Sequence, residues 1–242
     1  GIKAQISWFP LLHELLPSLL QRVQPPVGAD IVIAGSWNGF AFKRIGLPLV
    51  VVVHHCSFDA DLRPYKSAFQ HLYHRLLAEP REVRSLHAAD AVVAVSRYVA
   101  HHLRQKLGTD GVEVIHNWVD TDLFRPQPQE ARGDRPFRLL FVGKLSRLKG
   151  GDLLAPLMRR LGVGFELCFT AEPQDCKKMN LPANMIPIGK LSEQGMVQAY
   201  QSCDALLLPS RAEGFGYAAL EAMACGKPVI ASNNTALPEI VQ

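Results

Sequence analysis

The sequence has no apolar run approaching the roughly 20 residues that a helix needs to cross a bilayer. It has no strong charge of either sign. Lysine and arginine number 26 against 22 aspartates and glutamates, a net +4. Residues 1–125 and 126–242 each carry 13 basic and 11 acidic residues, so each half stands at +2. A charge so small and so scattered excludes a nucleic-acid-binding surface as the main function. The five cysteines (Cys56, Cys168, Cys176, Cys203, Cys225) are odd in number and contain no C-x-x-C pair. That excludes a disulfide framework and predicts free thiols in the reducing cytoplasm. There is no G-x-x-x-x-G-K-[ST] phosphate loop, no internal repeat and no low-complexity tract.

What is present is an alternation. Short, nearly continuous apolar runs occur at Ile31–Ala34, Leu49–Val53, Ala91–Val95 and Val112–Ile115, and again at Leu139–Val142, Phe165–Phe169, Met185–Ile188, Ala205–Leu208 and Val229–Ala231. Strands covered on both faces read this way, as in a parallel sheet wrapped by helices. Helical stretches separate them: Pro10–Val23, Pro64–His87, Arg97–Leu107, Asp152–Leu161, Glu193–Ser202 and Tyr217–Cys225. The alternation predicts an α/β fold with parallel sheets flanked by helices. Thr121–Pro136 breaks it with three prolines and six charges, among them Glu130 and Arg132, and reads as a linker. The expected domains are therefore 1–125 and 126–242. The first lacks an opening strand and the last six residues read as a helix cut short, so both ends read as truncated.

Three places could hold chemistry. The first is Pro209–Glu221, where Glu213 and Glu221 stand eight positions apart around a Gly214-Phe215-Gly216 turn that opens a helix. A helix start offers unpaired N–H groups and a positive dipole end, which suit phosphate. Two carboxylates beside it suit sugar hydroxyls. Two solvated glutamates on a plain core helix are the bland alternative. The second place is Gly143–Gly151, which follows a strand and brings Lys144, Arg147 and Lys149 to the edge where ligands of parallel sheets bind. Cations there would neutralise a departing diphosphate; a solvated basic loop is the alternative. The third is His54-His55 at the end of the run Leu49–Val53. His54 can bond a sugar hydroxyl there or pair with a backbone carbonyl. His71 and His74 have a metal-compatible spacing, but no third ligand is in pattern, and no metal site is expected. The apolar stretch Trp8–Leu20 reads as a core helix, with a membrane-surface or acceptor-side helix as the rival.

These segments resemble the retaining glycosyltransferases of family 4, a fold of two facing Rossmann-like domains (GT-B). The resemblance rests on Glu213 to Glu221 as the family's E-x7-E motif, and on Ala222–Ser232 and Leu237–Val241 after it. In the first half it rests on Pro48–His54, Ala89–Ser96 and Val114–Asp120. It implies that Glu221 holds the ribose hydroxyls of a nucleotide diphosphate sugar. Glu213 would contact the sugar or its phosphates, with Gly214, Phe215 and Gly216 offering N–H groups. Lys144 and Lys149 would bind the diphosphate, and His54 would attend the transferred sugar. Lys144 stands where the family more often has arginine, which keeps charge but loses the bidentate fork. His55 replaces the small or acidic residue often found after the strand histidine.

The resulting expectation is a retaining glycosyltransferase with His54, Glu213 and Lys149 as catalytic residues and a nucleotide-sugar donor in place of any cofactor. A glycan or lipid-linked acceptor completes it, in bacterial envelope polysaccharide or lipopolysaccharide synthesis. The location expected is the cytoplasm, with peripheral contact on the inner face of the membrane. A sugar-nucleotide epimerase on the same scaffold and a non-catalytic nucleotide-sugar-binding fragment are the alternatives.

Overall fold

The computed structural model describes residues 3–108, 110–128, 133–176 and 179–242; Glu130 and Arg132 of the expected linker lie outside them. By its contacts the chain divides into two units. One is Gly1–Ala60 with Ser67–Ile115, the other Asp61–Lys66 with His116–Gln242.

The first unit is built on four parallel strands in the order β1-β2-β3-β4: Val32–Gly35, Leu49–Val53, Ala91–Ala94 and Val112–Val114. Strand β2 is Leu-Val-Val-Val-Val, and its alternate residues Leu49, Val51 and Val53 are fully buried. β-Branched side chains suit a pleated surface covered on its faces. Helix Arg97–Leu107 starts at Ser96, whose hydroxyl accepts the Val99 N–H at 3.1 Å, and ends at Gly108 in the left-handed conformation. Both are ordinary cap chemistry.

The second unit has five parallel strands in the order β7-β6-β5-β8-β9: Met185–Pro187, Phe165–Phe169, Phe137–Phe141, Ala205–Leu208 and Val229–Ala231. The sheet carries a core on each face. Leu140, Leu206 and Leu208 pack with Phe124, Val197, Tyr200, Ala219 and Ala222 on one side. Leu139, Phe141, Leu167 and Leu207 pack with Leu154 and Met158 on the other. Alternate residues of one strand thus feed opposite layers, as a doubly wound fold requires. The chain is α/β throughout, with two Rossmann-like sheets as the sequence predicts.

All nine expected strands form, within a residue or so of their expected ends. Two expected helices do not form as single pieces. Pro10–Val23 becomes Leu11–Leu15 and Pro17–Leu20, broken at Leu16 with φ −117° and ψ 81°. The residue before a proline is pushed out of the helical region, and Pro17 does this. Pro64–His87 becomes a 3-10 turn Ala60–Tyr65, helix Ala68–Tyr73, a π turn His74–Ala78 and helix Glu79–Ala88. Pro80 has no N–H for the carbonyl four residues back and its ring crowds that carbonyl. Widening the turn just before it relieves the clash.

All five cysteines are free thiols. Burial, then the carboxylates of Glu82 and Asp59, push the Cys56 thiol well above its usual range. Burial raises Cys203 to about 11.

Candidate active site

In the second sheet β5 and β8 are neighbours from which the chain winds in opposite directions, β6 and β7 to one side and β9 to the other. That is a topological switch point, and the crevice beyond the carboxyl ends of two such strands is where doubly wound sheets bind ligands. The loop after β5 holds Lys144 and Lys149. The loop after β8 holds Glu213 and the turn to helix Tyr217–Ala224.

Side chains and backbone stitch these two loops together. The Arg211 N–H donates to Leu148 O at 2.8 Å. The Arg211 guanidinium donates to Arg147 O at 2.6 Å and forks onto both Asp152 oxygens at 2.5 and 3.0 Å. This bond holds the Asp152 carboxyl below its usual range. Gly150, with φ 73°, lies so close to the other loop that a Cβ there would stand 2.1 Å from Pro209 O. Only a residue without Cβ permits that approach. The two loops therefore behave as one surface.

On that surface the Lys149 ammonium donates to Glu213 Oε1 at 2.6 Å, with the Glu213 side chain only 11% exposed. Two residues 64 positions apart in sequence thus share one point. Glu213 is anchored through its backbone: its N–H donates to Thr235 Oγ1 at 3.1 Å, and its carbonyl accepts from Ala236 at 3.3 Å. Thr235 sits at φ 51°, an uncommon value for a β-branched residue. Lys144 lies on the same loop and is exposed.

Gly216, with φ 108°, is the N-cap of helix Tyr217–Ala224, and a Cβ on it would meet the Leu237 side chain at 2.9 Å. Phe215 is buried, its ring against His116 and Tyr217 at centroid distances of 6.0 and 5.6 Å. It therefore serves the turn through its backbone and its packing. His116 itself is 3.4 Å from Glu239. Gly214 is engaged in an interaction of its own.

Glu221 accepts a 2.6 Å hydrogen bond from the Tyr200 hydroxyl, from helix Glu193–Ser202. Burial raises the Glu221 carboxyl above its ordinary range, the Tyr200 bond opposes this, and Glu193 adds to the rise. The same burial and the Glu221 charge push the Tyr200 hydroxyl far above its usual range, so it acts as a neutral donor. Tyr200 is fully buried in the apolar core on one face of the sheet, a placement that sequence pattern did not reveal. Thr235 and the Arg211–Asp152 fork were equally invisible, because their partners are far away in sequence.

In the first unit His54 and His55 follow β2 and line a cavity of about 400 Å³ with Trp8, Phe9, Trp37 and Phe42. Partial burial, then neighbouring His55, lower the His54 pKa below its ordinary 6.5, so its imidazole is neutral at pH 7. No group of three or more metal-binding side chains is found among the described residues, His71 and His74 included. No helix among them is long and apolar enough to cross a membrane.

Comparison with known proteins gives a consistent result. The model of Glycosyltransferase Family 4 matches residues 2–123, and that of Glycosyl transferases group 1 matches residues 125–242. A D-inositol 3-phosphate glycosyltransferase of Catenulispora acidiphila is 34% identical over 87% of this chain and 57% of its own length. Another, of Pseudarthrobacter chlorophenolicus, is 27% identical over 92% of this chain and 59% of its own. The chain thus spans little more than half the length of these curated relatives. Among solved structures, a sucrose-phosphate synthase from Thermosynechococcus elongatus superposes with a TM-score of 0.70 at 22% identity, over 88% of this chain and 58% of that one. Anabaena Alr3699/HepE in complex with UDP and glucose gives 0.69 at 21% identity, over 98% of this chain and 68% of its own. At those identities the likeness is one of fold.

Proposed function

We infer the function from one premise: this chain belongs to Glycosyltransferase Family 4, whose model matches residues 2–123. The reading is a transferase that moves a sugar from a nucleotide diphosphate sugar to an acceptor hydroxyl with retention of configuration. The observation that carries it is the Lys149–Glu213 pair at 2.6 Å, set on fused loops at the sheet's switch point beside a helix start. A cation and a carboxylate held at one point offer partners to both halves of such a donor, its pyrophosphate and its sugar hydroxyls.

The roles follow from charge. Lys144, Lys149 and the N–H groups of the Gly214-Phe215-Gly216 turn receive the diphosphate and neutralise the charge that develops as it leaves. Glu213 accepts from hydroxyls of the sugar. Glu221, fixed by Tyr200, accepts from the ribose hydroxyls. Neutral His54 is assigned to a hydroxyl of the transferred sugar. No side chain is placed as a covalent nucleophile, so the acceptor oxygen attacks from the face the diphosphate leaves.

The domain expected over residues 1–125, which contains the first unit, is assigned to the acceptor. Its cavity has aromatic and imidazole walls, with no lysine, arginine, aspartate or glutamate among the described lining residues. Such a wall favours the uncharged part of a glycan or lipid-linked acceptor, since an unpaired charge is costly to desolvate. Envelope polysaccharide or lipopolysaccharide synthesis in the cytoplasm, on the inner face of the membrane, accords with such an acceptor.

The test is a mass-spectrometric transfer assay with UDP-, GDP- and ADP-sugars on wild type, Glu213→Ala and Lys149→Ala. Loss of transfer by about 100-fold or more in each variant is expected; undiminished transfer in both refutes these roles. A second reading, a nucleotide-sugar-binding piece without turnover, draws on the limited share of its relatives that the chain spans. Saturable donor binding with no product would favour it. Turnover of donor without acceptor would favour an epimerase.

A further inference from the structure

Helix Glu79–Ala88 of the first unit presents a carboxylate with no exposed surface, that of Glu82. Its two oxygens take three hydrogen bonds. Ser36 Oγ donates to Oε1 at 2.9 Å. The Ser57 N–H and hydroxyl donate to Oε2 at 2.8 and 2.5 Å. Ser36 and Ser57 are themselves only 5% and 4% exposed. One turn along the same helix, Ser85 Oγ accepts the Phe40 N–H at 3.1 Å, so one face of this helix secures residues 36 to 40.

The two serines belong to different loops. Ser36 ends the run from β1 and immediately precedes Trp37. Ser57 lies in the loop from β2, three residues after His54. That second loop is tied again at Asp59, whose carboxylate accepts from Tyr98 Oη at 2.5 Å and lies 3.8 Å from His102 Nε2. The loops meet over the cavity, where the Trp37 and His55 rings stand edge to face at 6.3 Å between centroids.

A buried carboxylate is expensive to desolvate and persists where its oxygens are well bonded. These three bonds of Glu82 all go to the loops that carry the cavity's aromatic and imidazole walls. We propose that Glu82 is a positioning residue for transfer: its carboxylate latches the Trp37 loop to the His54-His55 loop and sets the shape of the cavity. It touches neither donor nor acceptor. The proposal rests on the transferase reading for its kinetic consequence, but the latch itself does not depend on that reading.

Glu82→Gln keeps the shape of the side chain but offers one acceptor oxygen and an N–H₂ group, so one of the two loops loses its acceptor. Hydrogen exchange of the protein without ligand should then quicken about 10-fold or more at residues 36–40 and 54–59, while strand amides stay within about 2-fold of wild type. With whichever of UDP-, GDP- or ADP-glucose the wild type turns over, kcat should fall about 10- to 100-fold and the donor KM move less than about 3-fold. Where Glu82→Gln does not fold, Ser36→Ala frees the first loop alone and should quicken exchange at residues 36–40 with a smaller fall in kcat. Exchange that is unchanged in both loops, or that rises evenly through the unit, overturns the latch. An unchanged kcat, or a donor KM that rises in step with the loss of kcat, overturns the positioning role. A wild-type protein that turns over none of the three donors overturns the transferase reading instead, and the exchange pattern then decides the latch by itself.

Discussion

The two units use the same parallel α/β grammar and treat charge in opposite ways. In the second, the segments beyond the strand ends bring ionised side chains to a partly open surface: Lys149 on Glu213 and Arg211 on Asp152. In the first, two acids are withdrawn beneath the loops of the cavity, although Asp90 and Glu79 pair with Lys43 and Lys106 at the surface. Glu82 and Asp59 are 0% and 3% exposed, and what they support is a wall of aromatic rings and histidines. Of the groups next to these strand ends, Lys149 and Glu213 meet at a surface, whereas Glu82 and Asp59 fasten loops from within. On the proposed reading, the first surface would meet a donor's diphosphate and the second an acceptor's uncharged body.

Matched glycines give the largest test of this contrast. Gly46 in the first unit and Gly150 in the second share a left-handed φ, 80° and 73°. A Cβ on Gly46 would have nothing within 4 Å of it, whereas one on Gly150 would strike the Pro209 carbonyl. Gly150→Ala should destabilise the second unit by about 3–5 kcal/mol and abolish donor binding. Gly46→Ala should cost only the left-handed backbone term, about 1–2 kcal/mol. Denaturant melts of the two variants make the comparison. Equal losses would mean that loop closeness at the switch point has no special weight.

Lys149→Ala should weaken binding of a nucleoside diphosphate by about 2–3 kcal/mol, the range of a lost charge-assisted bond. His54→Ala, on the acceptor side, should leave that affinity within about 2-fold and show its loss in kcat. Calorimetric titration with UDP, GDP and ADP separates the two. Tyr200→Phe should cost about 1–2 kcal/mol in stability, because buried Glu221 loses its donor. Since that bond opposes the burial-driven rise, removing it should lift the Glu221 pKa further.

The smallest effect is a matter of pH. Glu221 has a folded pKa above its unfolded value of about 4.5. The folded state therefore holds the extra proton between those two values. The group's contribution to stability is full below about 4.5 and is lost as pH rises through the folded pKa. If Glu221 holds the ribose hydroxyls as proposed, donor binding runs the other way and should weaken as pH falls through that same raised value. Glu221→Gln should flatten both curves. Melting temperature and donor Kd measured across the acid range check the opposed signs.

Much of the fold was legible in the chain because its signals are local. Apolar runs four or five residues long, such as Leu49–Val53 and Phe165–Phe169, suit strands buried on both faces. Pro17 and Pro80 stand in the sequence too, and the helix breaks they impose follow from the missing N–H and fixed ring of proline. Reading Pro10–Val23 and Pro64–His87 as unbroken helices gave these prolines too little weight. The E-x7-E stretch could be picked out as a candidate site because glycine turns and helix starts are short-range features.

The sequence alone determined the strand and helix series, the residue types at the strand ends and the family to which they belong. Tertiary structure alone decided the pairings: Lys149 with Glu213 across 64 residues, Tyr200 with Glu221 across 21, and Ser36 and Ser57 with Glu82 across 46 and 25. The reason is physical. Backbone preference and burial pattern act over a few residues and survive in the order of the letters, whereas a hydrogen bond between side chains depends on where the sheet places distant loops.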